Sequence, residues 1–117
     1  MKLIGKFRLD QAVNACKARS SKVPLPKNRQ ANHDTYAAFK ELGVSEAALD
    51  GTDNLIEGEW VEQSTGELIK WFNWPSSGSD GVSHRQDYLW YWGKFPGKWD
   101  DLEGWHSTNV ICEKDPA

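Results

Sequence analysis

Trp99-Asp100-Asp101-Leu102-Glu103-Gly104-Trp105-His106-Ser107-Thr108-Asn109-Val110-Ile111-Cys112-Glu113 reads as a polar turn feeding a short closing strand. Two adjacent carboxylates follow a large ring that can anchor them in a core, and Val110-Ile111-Cys112 is an apolar run with strand character. Asp100 and Asp101 are hard oxygen donors of the kind Ca²⁺ takes, roughly six to eight at a time and in irregular loop geometry. Adjacent acids are also common in plain solvated turns, so the pair becomes a metal site only if residues elsewhere complete it.

Working outward, the rest of the chain bounds what this stretch belongs to. With 117 residues, 38% hydrophobic and 26% charged, the chain is predicted to be one soluble globular domain over 1–117. A net charge of −3 with no concentrated basic patch gives no reason to expect nucleic acid. No apolar run reaches membrane-spanning length, so membrane insertion is not expected. No basic-then-apolar leader opens the chain, which either lacks an export signal or is trimmed to the domain. Tryptophan is the compositional anomaly: six of the seven fall from Trp71 to Trp105, so the second half differs in character from the first.

Cys16 and Cys112 are the two cysteines. Two buried thiols would be the intracellular reading and one disulfide tying both ends the secreted one. Their positions favour the bridge, because closing so long a loop is worth roughly 4–5 kcal/mol in the chain-entropy model. Neither CxxC spacing nor a histidine pair supports a zinc site.

Along the chain, residues 2–7 form an opening strand candidate. Leu9, Ala12, Val13 and Cys16 recur at helical spacing and make one apolar helix face. Val23-Pro24-Leu25-Pro26 runs extended. A second helix is predicted with Asn32 as N-cap, Asp34 in its first turn, Tyr36, Phe39 and Leu42 inward, and Gly43 as its stop. Short strands then follow at 59–61 and 68–72 around Ser64-Thr65-Gly66. Asn73 to Asp87 is a long polar loop, of a length that in a compact domain usually marks function or disorder. Tyr88 to Trp92 and Trp99 read as a hairpin around Gly93-Lys94-Phe95-Pro96-Gly97. The predicted class is α+β, two helices followed by small antiparallel sheets with a loop-rich face.

In this order the features resemble a C-type lectin domain, in a shortened, divergent or invertebrate-like form, over about residues 3 to 114. Leu9-x-x-Ala12-x-x-x-Cys16 is similar to the family's first helix, which carries one half of its long disulfide. Gly51-x-Asp53-x-x-x-Glu57-Gly58-x-Trp60 resembles the central strand and turn. Trp74 opens the long loop, Trp99-Asp100-Asp101 stands where the family has Trp-Asn-Asp, and Val110-Ile111-Cys112-Glu113 resembles the closing strand. The family's inner disulfide is missing, with Tyr88 and Gly104 at its positions, and a ring opposite a glycine can fill the space the sulfurs vacate. In place of Glu-Pro-Asn or Gln-Pro-Asp the long loop has Gly78-Ser79-Asp80, so a trans peptide before Ser79 is expected.

The resemblance implies a Ca²⁺ site at Gly78, Asp80, Gln86, Asp100 and Asp101. The family's Glu, Asn, Glu, Asn, Asp carries −3, and so do Asp80, Asp100 and Asp101 together. The expected ligands are Asp80, Gln86, Asp100 and Asp101, with water or a backbone carbonyl completing the shell. Asp53 and Glu57 match part of an auxiliary site whose other acids are replaced by Gly81 and Gln86, and are read as turn formers. The resemblance further implies sugar bound through the ion, with Asp80, Gln86 and Asp100 meeting its hydroxyls and Gln86 the amide donor of the set. The acid at Asp80 leans toward galactose or its N-acetyl derivative, with Trp105, Trp92 or His84 (Trp90 a further candidate) to stack on the ring. Trp60, Trp71, Trp74, Trp90 and Trp99 are expected in the core.

No nucleophile elbow, metalloprotease spacing or P-loop is present, and His33, His84 and His106 are scattered among polar residues. Adjacent acids cannot face each other across a glycosidic bond, so an enzyme is not expected. The expectation is a calcium-dependent glycan-binding domain, secreted or on the cell surface. The alternative is a metal-free domain of the same fold that binds a protein ligand or forms a homo-oligomer through exposed tryptophans.

Overall fold

The last strand is the one on which the others are assembled. A computed structural model of the chain describes residues 1–54, 59–74 and 87–114. The elements are β1 (Lys2–Arg8), a 3₁₀ turn (Leu9–Gln11), α1 (Ala12–Lys17), β2 (Ser21–Lys22), α2 (Arg29–Glu41), β3 (Ala47–Thr52), β4 (Tyr88–Tyr91), β5 (Trp99–Leu102) and β6 (Ser107–Lys114). The strands lie in the order β1-β6-β3-β4-β5, and β2 also pairs with β6. β6 runs antiparallel to β1 and β2 and parallel to β3, where Ala47 faces Asn109. The α+β class expected from the sequence is the one observed.

Alternation of side chains along β4 and β6 divides the core in two. Leu89, Tyr91 and Ile111 join Phe39 of α2, Leu49 and Trp99 on one side. Trp90, Val110 and Cys112 join Leu9, Ala12 and Cys16 on the other. Cys16 and Cys112 are bridged with their Cα atoms 5.5 Å apart, pinning α1 to β6. Leu9, Ala12 and Cys16 are buried as their helical spacing requires.

α2 departs from its expected start. Asn28 is the N-cap, its side chain accepting from the Ala31 N–H at 2.8 Å, so Asn32 lies a turn inside the helix and is buried. Leu42, expected inward, is the C-cap and is 39% exposed. The stop at Gly43 is as expected: Gly43 has φ +78°. Its N–H donates to Lys40 O while the Val44 N–H donates to Phe39 O, the paired closure that a left-handed residue permits.

β3 is central and buried at every position, which removes the polar–apolar alternation that marks a half-exposed strand. Residues 59–61 and 68–72 do not form extended strands. They are joined by single bridges, Thr52 to Val61 and Val61 to Leu68, around the expected turn at Ser64-Thr65-Gly66. Trp60, Trp90 and Trp99 are buried, and Trp71 and Trp74 pack against the core as partly buried rings. Among the described residues no helix is long and apolar enough to cross a membrane.

Candidate functional site

β5 is the outer strand of the sheet, and it carries the acid pair. In register with β4, Trp99 faces Tyr91, Asp100 faces Trp90 and Asp101 faces Leu89. Trp99 and Asp101 are therefore on the α2 side of the sheet, Asp101 only 1% exposed, while half-buried Asp100 is on the α1 side. Adjacent strand residues cannot share an ion above either face. They can share one beyond the strand's edge.

That edge is defined by hydrogen bonding. The Trp99 N–H donates outward to Asn73 O at 2.9 Å. Alternation in an antiparallel ladder then points the N–H and C=O of Asp101 outward as well. The backbone carbonyl of Asp101 is thus an oxygen turned to the outer edge of the strand that carries both acids, and oxygen donors are what a hard cation takes.

Trp99 is held by an asparagine that the sequence reading misplaced as a cap. Asn32 Oδ1 accepts from Trp99 Nε1 at 2.9 Å and from the Tyr91 hydroxyl at 2.6 Å, and Asn32 Nδ2 donates to Gly97 O at 3.0 Å. Burial pushes the Tyr91 phenol well above its ordinary range, and it stays protonated as a donor. Edge contacts from Trp71 at 5.4 Å and Phe72 at 6.2 Å complete the cage around the Trp99 ring.

Of the other expected site residues, Asp80, His84 and Gln86 lie outside the described residues, as do Glu57, Gly78, Ser79 and Gly81. Trp105 is 60% exposed on the turn between β5 and β6, its ring stacked on His106 at 3.8 Å. Trp92 is half-buried, edge-on to Phe95 at 5.2 Å and beneath the Lys94 ammonium at 5.4 Å. Among the described residues no three acids, histidines or cysteines cluster as a metal site.

Three further acids are buried in whole or in part, and the sequence singled out one of them. Asp53, read as a turn former, follows β3 directly and is wholly buried, and its N–H donates to Asp87 O at 3.1 Å. Asp87, not singled out from the sequence, has a buried Oδ1 with no hydrogen-bond partner among the described residues. Asp50, also unforeseen, is buried and organises the turn after Trp60. Its Oδ1 accepts from the N–H groups of Gln63 (2.7 Å) and Ser64 (3.2 Å), and its Oδ2 from the Ser64 hydroxyl at 2.5 Å. No signal short of the tertiary fold separates these acids from surface ones.

No model of a known protein family matches the chain. Solved structures do. The mouse scavenger receptor C-type lectin carbohydrate-recognition domain superposes with a TM-score of 0.77 at 21% identity, over 97% of this chain and 87% of that one. CEL-I, a C-type lectin from Cucumaria echinata, gives 0.81 at 13% identity, over 95% and 86%. A calcium-independent type II antifreeze protein gives 0.72 at 14%, over 92% and 78%. Identities this low speak for architecture alone, and the architecture they share with this chain is the C-type lectin-like fold.

Proposed function

We propose that residues 1–117 act as a single carbohydrate-binding domain, working outside the cell or on its surface, with Ca²⁺ held by Asp80, Gln86, Asp100 and Asp101. The observation that carries this reading is the acid pair on an outer strand, with the Asp101 carbonyl turned to the same edge and Trp99 locked behind it. When bound, the ion supplies coordination for two adjacent sugar hydroxyls. Asp80 and Asp100 then accept hydrogen bonds from those hydroxyls, and the Gln86 amide donates one. Galactose or its N-acetyl derivative is the favoured sugar, with Trp105, Trp92 or His84 to stack on its apolar face. The site binds and releases its ligand without catalysis.

A second reading is a metal-independent domain that takes a protein ligand or a second copy of itself. Two observations favour it: Asp100 and Asp101 leave opposite faces of the sheet, and Trp105 offers an exposed apolar ring. Calorimetry separates the two. The first reading expects heat on adding millimolar calcium and galactose binding that a chelator abolishes. Asp101→Ala should remove both, and Gln86→Glu should tighten calcium while weakening the sugar. No heat with calcium, together with ligand binding indifferent to chelator, would establish the second reading.

A further inference from the structure

We infer that the groove between α2 and the hairpin joining β4 to β5 is a binding site for an oxyanion, carried as a sulfate ester on a glycan. The groove has a volume of about 350 Å³, room for an anionic group and part of a sugar ring, and Arg29, His33 and Lys98 stand on its walls. All three are exposed, and no aspartate or glutamate lines it among the described residues. In a chain of net charge −3 this cationic lining is local, not a reflection of bulk composition.

The floor strengthens the case, because its strongest acceptors are already used. Gly97 O takes hydrogen bonds from Asn32 Nδ2 at 3.0 Å and Asn73 Nδ2 at 2.7 Å, which accounts for both lone pairs. Asn32 Oδ1 is likewise filled by Tyr91 and Trp99. Asn73 Oδ1 meets Lys98 Nζ only at 3.4 Å. What remains on offer is mostly donors: the guanidinium of Arg29, the ammonium of Lys98, the ring of His33, the second amide hydrogen of Asn73 and, among the described residues, the unpartnered Tyr36 hydroxyl, which can donate or accept. A ligand for such a surface must bring acceptors and negative charge, and a sulfate does both.

Position points to a glycan rather than a free ion. Asn73, on the groove's wall, is the residue whose carbonyl takes the Trp99 N–H, so the groove adjoins the outer edge of β5. One oligosaccharide can reach both. The glycan part of the inference rests on the function proposed above; the oxyanion site itself does not depend on calcium.

The test is calorimetry on the full chain with a sulfated galactan tetrasaccharide, its desulfated counterpart and inorganic sulfate, each with calcium and with chelator. The sulfated form should bind about tenfold more tightly than the desulfated one at low salt, the worth of one charge-assisted pair. That preference should fade as salt screens the exposed charges. Arg29→Glu and Lys98→Glu should each remove the preference while leaving the melting temperature and the desulfated affinity unchanged. Equal affinities for the two tetrasaccharides, or a preference that survives both charge reversals, would overturn the site. Inorganic sulfate binding as tightly as the tetrasaccharide would overturn the glycan source. Calcium-dependent binding of the desulfated form without sulfate preference refutes the groove and leaves the calcium reading standing. Sulfate preference that persists in chelator and is lost in the variants supports the groove; the calcium reading falls only if the desulfated form also binds equally with and without chelator.

Discussion

Gly104 lies against the ring of Tyr88 so closely that a Cβ on Gly104 would stand 2.6 Å from Tyr88 Cε2 and 3.0 Å from Asp10 Cβ. The contact joins the first residue of β4 to the turn before β6, where the Asp10 N–H also donates to Gly104 O at 3.0 Å. Ring against glycine here fills the place of the cross-link expected between these positions in the lectin family. Gly104→Val should destabilise the protein by roughly 1–3 kcal/mol through overpacking. Urea denaturation of variant and parent measures it, and coincident midpoints would mean the ring has room to move away.

One oxygen, Asn32 Oδ1, accepts from both the Tyr91 hydroxyl and Trp99 Nε1. Asn32→Leu keeps approximate volume and strands the two donors in a buried site. The expected loss is roughly 2–5 kcal/mol, from two unsatisfied groups. A change within a few tenths of a kcal/mol in the same assay would show that the helix shifts to resatisfy them.

The Cys16–Cys112 bridge closes a sequence separation of 96 residues. Removing it through Cys16→Ala with Cys112→Ala should cost about 4–5 kcal/mol in the chain-entropy model. The two cores remain, so a cooperative melt at lower temperature is expected rather than no fold. Alkylation of the native, unreduced protein should add no mass; two modified thiols would refute the bridge.

Burial raises the Asp50 carboxyl above its ordinary value of 3.8, against the opposing hydrogen bonds from Ser64 and Gln63. A raised folded-state value means the native state holds its proton longer than the unfolded chain does. This contribution is fully present below the unfolded value and is lost as pH rises through the folded one. Compared with Asp50→Asn, the parent should therefore lose stability as pH climbs from about 4. Chemical denaturation at a series of pH values checks this, and parallel curves for the two proteins would contradict it.

The sequence by itself determined the α+β class, the end-to-end cysteine bridge, the stop at Gly43 and the packing of five tryptophans into the core, three of them buried and two partly so. These depend on periodicity, on residue type or on chain position, all of which are local or nearly so. It also marked Asp100 and Asp101 as paired oxygen donors. Tertiary structure alone decided that β3 is the buried middle of the sheet, since a strand covered on both faces carries no alternation to read. It moved Asn32 from a helix cap to the core, because an asparagine has the same local preferences whether or not Tyr91 and Trp99 arrive from residues 59 and 67 positions away. It also brought Arg29, His33 and Lys98 to one groove. Those relationships join parts of the chain far apart in sequence, and only the packing of α2 against the sheet brings them together.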